Sequence, residues 1–320
     1  MRSAAVTLLK VAIPLATLVA CGGETESKAT LMGPPSPSRS MVSHGEWSAP
    51  INVGAPINSP FLEQSPFLTD HGRSLYFSSN RPGGIGLTDL WVSHRACDDC
   101  VWETPINLGP GVNTTSGEAG PSLSVDGHLL FFNSTRPTGR GQNDIYMAYR
   151  VDPNDDQGWE PPILLSTEVS TAAWEHTPFY VQTGLDAGTL YFTRGVTNGV
   201  ANDIWKVEIN RSGETLGAAT LVSELSLPAN NDAMATFSAN GKEVIFASDR
   251  PPPHVGFQFW SATRKSAKDG WSEPVLLDFP SAHIHPNLSF DGRTLHFVSV
   301  QPGGLGGQDI WMSTRSQQDP

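Results

Sequence analysis

The sequence predicts an all-β fold in which one four-stranded antiparallel unit is repeated five times around an axis. Three observations predict it. An apolar triplet recurs as Leu75-Tyr76-Phe77, Leu130-Phe131-Phe132, Leu190-Tyr191-Phe192, Val244-Ile245-Phe246 and Leu295-His296-Phe297, each reading as a short strand. A second strand follows each through a Gly/Pro-rich loop, at Asp89-Leu90-Trp91, Asp144-Ile145-Tyr146, Asp203-Ile204-Trp205, Gln258-Phe259-Trp260 and Asp309-Ile310-Trp311. The first residues of these segments are 55, 59, 55 and 51 apart, near the period of propeller blades. Composition agrees, because 31 Gly and 26 Pro in 320 residues punctuate the chain too often for coiled coils or helical bundles.

Taken in order, the chain opens with Arg2, Lys10 and an apolar stretch from Val11 to Ala20, too short and interrupted for a membrane span. Residues 1–20 read as a signal peptide. The run Leu18-Val19-Ala20-Cys21 resembles a bacterial lipobox, which implies that Cys21 becomes the lipidated N-terminus. With Gly22 rather than Asp after the cysteine, the resemblance implies an address at the outer membrane of the cell envelope. Loss of Arg2 and Lys10 leaves 18 basic against 32 acidic residues, or -14. Acyl chains, and no basic patch, are then expected to provide the membrane contact. The same acidity, with no Lys/Arg run, excludes nucleic acid as a partner. Residues 21–46 are rich in Gly, Ser, Thr and Pro and read as a disordered tether.

The repeats occupy residues 47–317. A Gly-containing turn precedes each first strand, as at Asp126-Gly127, Asn240-Gly241 and Asp291-Gly292, the chemistry of a tight reversal. Each unit is thus a meander. Its outermost strand is read from Trp102-Glu103-Thr104-Pro105-Ile106, Trp159-Glu160-Pro161-Pro162-Ile163 and Trp271-Ser272-Glu273-Pro274-Val275, with a weaker copy at Leu216. A further copy, Trp47-Ser48-Ala49-Pro50-Ile51, precedes the first complete unit, while the last unit ends after Trp311 without one. The N-terminal strand is therefore expected to complete the last blade and close a five-bladed β-propeller.

With Ser-x-Asp-Gly turns, aromatic strands, Arg81-Pro82-Gly83-Gly84 and Asp-Ile-Trp segments, the units resemble the TolB-type, WD-like β-propeller repeat. The resemblance implies the fold and little about the task, because propellers host many unrelated functions. TolB itself has six blades behind an α/β domain, so its partnership with the peptidoglycan-associated lipoprotein is not carried over.

Aligning the units on the turn glycine brings Glu63, Glu118, Glu175, Asp232 and His283 to one register, just before each innermost strand. Rotation would gather them at one mouth of the channel. Three readings are open: a latch in which each carboxylate accepts backbone N–H groups, a binding site for a ligand or a divalent cation, and a pair of catalytic carboxylates. His176, His285 and Trp174 would enrich such a mouth. No cofactor or metal site beyond that possible cation is expected. Cys97 and Cys100 are expected to form a local disulfide in an exported protein. The acidic run Asp152 to Gly158 resembles a calcium loop, but its Gly is late and the distal Glu missing, so it reads better as a hairpin turn.

The functional expectation is a lipid-anchored envelope module that binds a protein segment or a glycan on the face bearing the ring, without catalysis. The alternative is a carbohydrate-active hydrolase using two ring carboxylates, since several glycoside hydrolase families use five-bladed propellers.

Overall fold

The computed structural model describes residues 46–196, 201–251, 256–279 and 283–316, and every element in it is a strand. The signal peptide, Cys21 and nearly all of the tether lie outside the described residues. After β1 (Ile51–Asn52), blade one comprises β2 (Glu63–Leu68), β3 (Ser74–Ser79), β4 (Asp89–His94) and β5 (Ile106–Asn107). Blade two comprises β6 (Glu118–Leu123), β7 (Leu129–Ser134), β8 (Asp144–Tyr149) and β9 (Ile163–Leu164). Blade three follows as β10 (Trp174–Gln182), β11 (Ala187–Gly195), β12 (Asp203–Asn210) and β13 (Thr220–Leu221). Blade four is β14 (Asp232–Phe237), β15 (Glu243–Ser248), β16 (Gln258–Thr263) and β17 (Val275–Leu276). Blade five has β18 (Ile284–Leu288), β19 (Thr294–Ser299) and β20 (Asp309–Thr314), with β1 as its outer strand. The five-bladed, four-stranded antiparallel propeller expected from the repeats is the observed fold.

Closure follows the expected route. Ile51 pairs with Met312 and Asn52 with Trp311, while the Ser48 N–H donates to the Thr314 carbonyl at 2.7 Å. The recurring tryptophans acquire a role here. The guanidiniums of Arg95, Arg150, Arg264 and Arg315 lie 4.2 to 4.6 Å from the ring centres of Trp102, Trp159, Trp271 and Trp47. Each Arg Nε donates to the carbonyl of its blade's turn glycine, namely Gly72, Gly127, Gly241 and Gly292. One cation thus ties the inner hairpin to the outer strand of a blade. Among the described residues, blade three, with Leu216 at that position, has no such pair on its outer strand.

The core is divided among the blade interfaces, because alternate strand residues face opposite neighbours. Tyr76 packs with Leu130 and Phe132 between blades one and two, whereas Leu75 and Phe77 turn the other way, toward Ile310 of blade five. Leu129 and Phe131 meet Leu190 and Phe192, Tyr191 meets Val244 and Phe246, and Ile245 meets Leu295 and Phe297. His296 occupies the Tyr76 register in blade five and is 3% exposed.

Candidate functional site

The ring positions do share one register. Each donates its backbone N–H to the previous blade: Glu63 to Gln308, Glu118 to Thr88, Glu175 to Asn143, Asp232 to Asn202 and His283 to Phe257. Their side chains do not open onto a ligand space. All four carboxylate residues are 0% exposed. Glu63 accepts from the Ser59 N–H at 2.8 Å, Ser59 Oγ at 2.6 Å, Ser79 Oγ at 2.9 Å and Arg81 Nη2 at 3.0 Å. Glu118 repeats this with Thr114 N at 2.8 Å, Thr114 Oγ1 at 2.7 Å, Ser134 Oγ at 2.7 Å and Arg136 Nη2 at 3.2 Å. Glu175 accepts from Thr171 N and Oγ1 and from Arg194 Nε at 2.9 Å. Asp232 takes the Leu227 N–H at 2.7 Å and Arg250 Nη2 at 2.5 Å. The same arginines donate to linker carbonyls, Val112 for Arg136 and Leu225 for Arg250. Each carboxylate–guanidinium pair therefore fastens the linker that enters its blade, and both oxygens of each carboxylate accept a hydrogen bond.

Blade five carries His283 and Gln301 where blades one, two and four carry an acid and an arginine, and in blade three the arginine stands two residues earlier, directly opposite Glu175. His283 lies among Phe259, Phe279 and Phe297, with ring centres 4.6 to 5.6 Å away. The acid and the arginine therefore change together. The Asp89 register, by contrast, caps its own loop: Asp89 accepts from the Ile85 and Gly86 N–H groups, Asp144 from Arg140 and Gly141, and Asp309 from Leu305 and Gly306.

Two residues beyond each ring position the inner strand bulges. Ser65, Gly120, Thr177, Met234 and His285 all have positive φ, between 46° and 65°. These bulges line an axial cavity of only about 40 Å³, and Phe67 and Phe179, with ring centres 5.9 Å apart, also border it. It is far below the ~300 Å³ at which small-ligand pockets begin. His285 Nδ1 accepts the Ser65 N–H at 3.2 Å. Burial pushes His176 down to about 4 and His285, which also feels the charge of His176, to about 3. Trp174 is half-buried and pairs with Asn143 of blade two. Among the described residues no three of His, Cys, Asp and Glu gather as metal ligands.

Burial also lowers His283 and His296 to about 4. These four histidines stay neutral in the fold but take protons near 6.5 once unfolded. Their stabilising effect is complete above pH 6.5 and is lost as pH falls toward 4. Thermal unfolding is expected to drop by more than about 10 °C between pH 7 and pH 4.5. His296→Phe, which restores an aromatic at the Tyr76 register, is expected to flatten that slope in a pH series of melting curves.

The larger opening is at the other end of the inner strands, between blades one and two. It has a volume of about 460 Å³ and is bordered by the β2–β3 turn (69–73), the β6–β7 turn (124–128), Ser74, Tyr76, His94 and Arg150. Behind it, Asp156 of the acidic loop accepts from His94 Nε2 at 2.7 Å, Tyr76 OH at 3.2 Å and Arg150 Nη1 at 3.3 Å. The Asp156 hydrogen bond holds His94 above its ordinary range against burial. Burial pushes the Asp156 carboxyl up, but His94 and Arg150 outweigh it and hold the group below the usual carboxylate range. Asp126 is ion-paired with Arg211 at 2.7 Å and bonded to Ser124 Oγ at 2.6 Å, and its net shift is likewise downward despite partial burial. Asp152 and Asp155 turn their carboxylates onto the Asn154 and Gln157 N–H groups, as in a hairpin turn. Cys97 and Cys100 are joined in the turn after β4.

Sequence reading passed over Ser74 and His94, and it took Asp156 only as part of an acidic hairpin turn. Their signal was a break in the repeat: the cross-strand pair at 74 and 94 is Leu129 and Tyr149 in blade two and Thr294 and Thr314 in blade five.

No family model matches the chain, and no curated protein does. Solved structures are similar in fold. An endo-arabinase from Bacteroides thetaiotaomicron superposes with a TM-score of 0.60 at 13% identity, over 82% of this chain and 97% of that one. An alpha-L-arabinofuranosidase from Lactobacillus brevis does so at 0.57 and 12% identity, over 83% and 93%. TolB from Acinetobacter baumannii reaches 0.45 at 15% identity, over 81% and 55%, too little to carry an argument. These likenesses show the fold, and they correct the expectation of a scaffold without catalysis, because the propellers that superpose with TM-scores above 0.5 are themselves an endo-arabinase and an alpha-L-arabinofuranosidase.

Proposed function

We propose that the protein is a carbohydrate-active propeller, a hydrolase whose glycan lies in the cleft between blades one and two. The carrying observation is the contrast in room: about 460 Å³ in the cleft against about 40 Å³ on the axis, where small-ligand sites occupy roughly 300 to 1,000 Å³. The cleft presents the half-buried Phe290 as an apolar face and Asp70, Asp126 and Asn154 as partners for hydroxyls. That mixture suits a sugar, which is apolar on its ring faces and polar at its edge. The solved endo-arabinase and alpha-L-arabinofuranosidase support the reading by fold alone.

Glycoside hydrolysis needs two carboxyl groups in unlike surroundings. Asp126, held by Arg211, stays ionised, and Asp70, with the exposed His71 beside it at 3.5 Å, is the second carboxylate bordering the cleft. Asp70 is assigned the acid's role and Asp126 the base's. The buried ring carboxylates take no part. The exported, lipid-anchored address expected at Cys21 belongs to the same proposal, since it would bring the cleft to envelope or extracellular glycans.

The test is calorimetric titration and reducing-sugar release with arabino- and xylo-oligosaccharides. Asp70→Asn is expected to lower turnover by at least ~10²-fold while leaving binding in place. Binding without release by the unaltered protein would remove the hydrolase, and absence of binding would remove the glycan.

A further inference from the structure

We propose that Ser74, His94 and Asp156 form a nucleophilic relay that gives the same cleft an acyl-ester hydrolase activity. Ser74 Oγ lies 2.9 Å from His94 Nδ1, and His94 Nε2 lies 2.7 Å from Asp156 Oδ2. The order is that of a serine nucleophile, a histidine base and an orienting carboxylate. The two ring nitrogens are used in the opposite sense to the familiar triad, which leaves the proton balance unchanged. Ser74 and His94 border the cleft, and the His94 side chain is 35% exposed against 13% for Asp156. The reacting pair thus faces the ligand space while the carboxylate stands behind it. Tyr76 OH and Arg150 Nη1 hold that carboxylate in place.

Register explains why the pair meets. Ser74 and His94 are direct cross-strand partners on β3 and β4, and Asp156 is delivered by the longer loop of blade two. A cross-strand hydrogen bond alone would need no third member. Here the histidine is bonded on both nitrogens, with the acid supplied from a different blade.

The step balances without a further reactant. Ser74 Oγ adds to the ester carbonyl carbon as its proton passes to His94 Nδ1, and the carbonyl oxygen takes the negative charge. Collapse breaks the ester C–O bond; the departing alkoxide takes the proton from Nδ1 and leaves as an alcohol, with the acyl group on Ser74. Water, deprotonated by His94, then releases the carboxylic acid and restores the serine. The substrate class assigned is a short-chain acyl ester on a sugar hydroxyl. The choice of a sugar rests on the glycan reading above; the acyl transfer does not.

The deciding experiment treats the full chain with a fluorophosphonate and maps the adduct by peptide mass spectrometry, alongside p-nitrophenyl acetate hydrolysis. A single adduct on Ser74, lost in His94→Asn, is expected, with ester turnover down at least ~10²-fold in Ser74→Ala and His94→Asn. Turnover should rise with pH through a value above 6.5, because Asp156 and Glu103 raise His94 while burial and Arg150 oppose them. Asp156→Asn, a change to a positioning residue, is expected to move that midpoint downward, which a merely structural bond would not do. Labelling spread over other serines, or none, overturns the relay, and this result is available from the unaltered protein even if Ser74→Ala fails to fold. Acetate release from acetylated xylo-oligosaccharides supports the sugar-ester class. Its absence beside a labelled Ser74 overturns that class, and failure of unacetylated oligosaccharides to bind overturns the glycan reading while leaving the relay standing.

Discussion

Arg250→Ala is expected to destabilise the propeller by roughly 3 to 5 kcal/mol, the cost of leaving a buried carboxylate without its partner. Asp232 is 0% exposed and Arg250 6%, so water cannot replace the guanidinium without opening the blade. The loss is compound. Arg250 Nε and Nη2 both reach Asp232 Oδ1, Nη2 also donates to the Leu225 carbonyl at 2.6 Å, and the guanidinium stacks 4.9 Å from the centre of the Phe246 ring. Urea unfolding of the two proteins measures the difference, and a cost below about 1 kcal/mol would show that the pair contributes nothing net. Blade five suggests the compensating change, since His283 and Gln301 stand at the same two registers. The double variant Asp232→His with Arg250→Gln removes both charges together. It is expected to be more stable than Arg250→Ala alone, as holds generally when a buried ion pair is replaced whole rather than halved.

Deleting residues 46–53 is expected to have a comparable effect by a different route. It removes the pairing of Ile51 and Asn52 with β20, the Ser48 N–H bond to Thr314 and the bond from Ser313 Oγ to the Ser48 carbonyl at 2.6 Å. It also strips Trp47 from Arg315 and from Phe279, whose ring centre is 6.3 Å away. Blade five would be left with β20 as an open edge, which invites pairing with another chain. The expected result is a melting temperature lower by about 10 °C or more, with dimers or larger species on size-exclusion chromatography. A truncated chain that stays monomeric and melts with the parent would show that the ring does not depend on its leading strand.

Much of the scaffold was readable because rotation writes each element five times. The apolar triplets could each be checked against four other copies, and the Trp-containing outer segments, including the one at Trp47 that supplies the missing strand, against three and a weaker one at Leu216. The ring residues were likewise placed in their common register. Their partner was harder to see. Arg81, Arg136, Arg194 and Arg250 stand 18 or 19 residues after Glu63, Glu118, Glu175 and Asp232, and no local pattern ties the two series together. In blade five the exchange of an acid for His283 coincides with the exchange of an arginine for Gln301.

Repetition alone thus settled the number of blades, the meander order of the strands and the way the circle closes, because local patterning and turn chemistry dictate these without reference to distant contacts. Burial and convergence were left to the folded molecule. Only there does the ring prove to be a set of enclosed ion pairs, since the linkers fold over it and exclude water. Only there do Ser74 and His94 of one blade meet Asp156 of the next, since that meeting depends on a single departure from symmetry and on the distance between loops 62 residues apart in the chain.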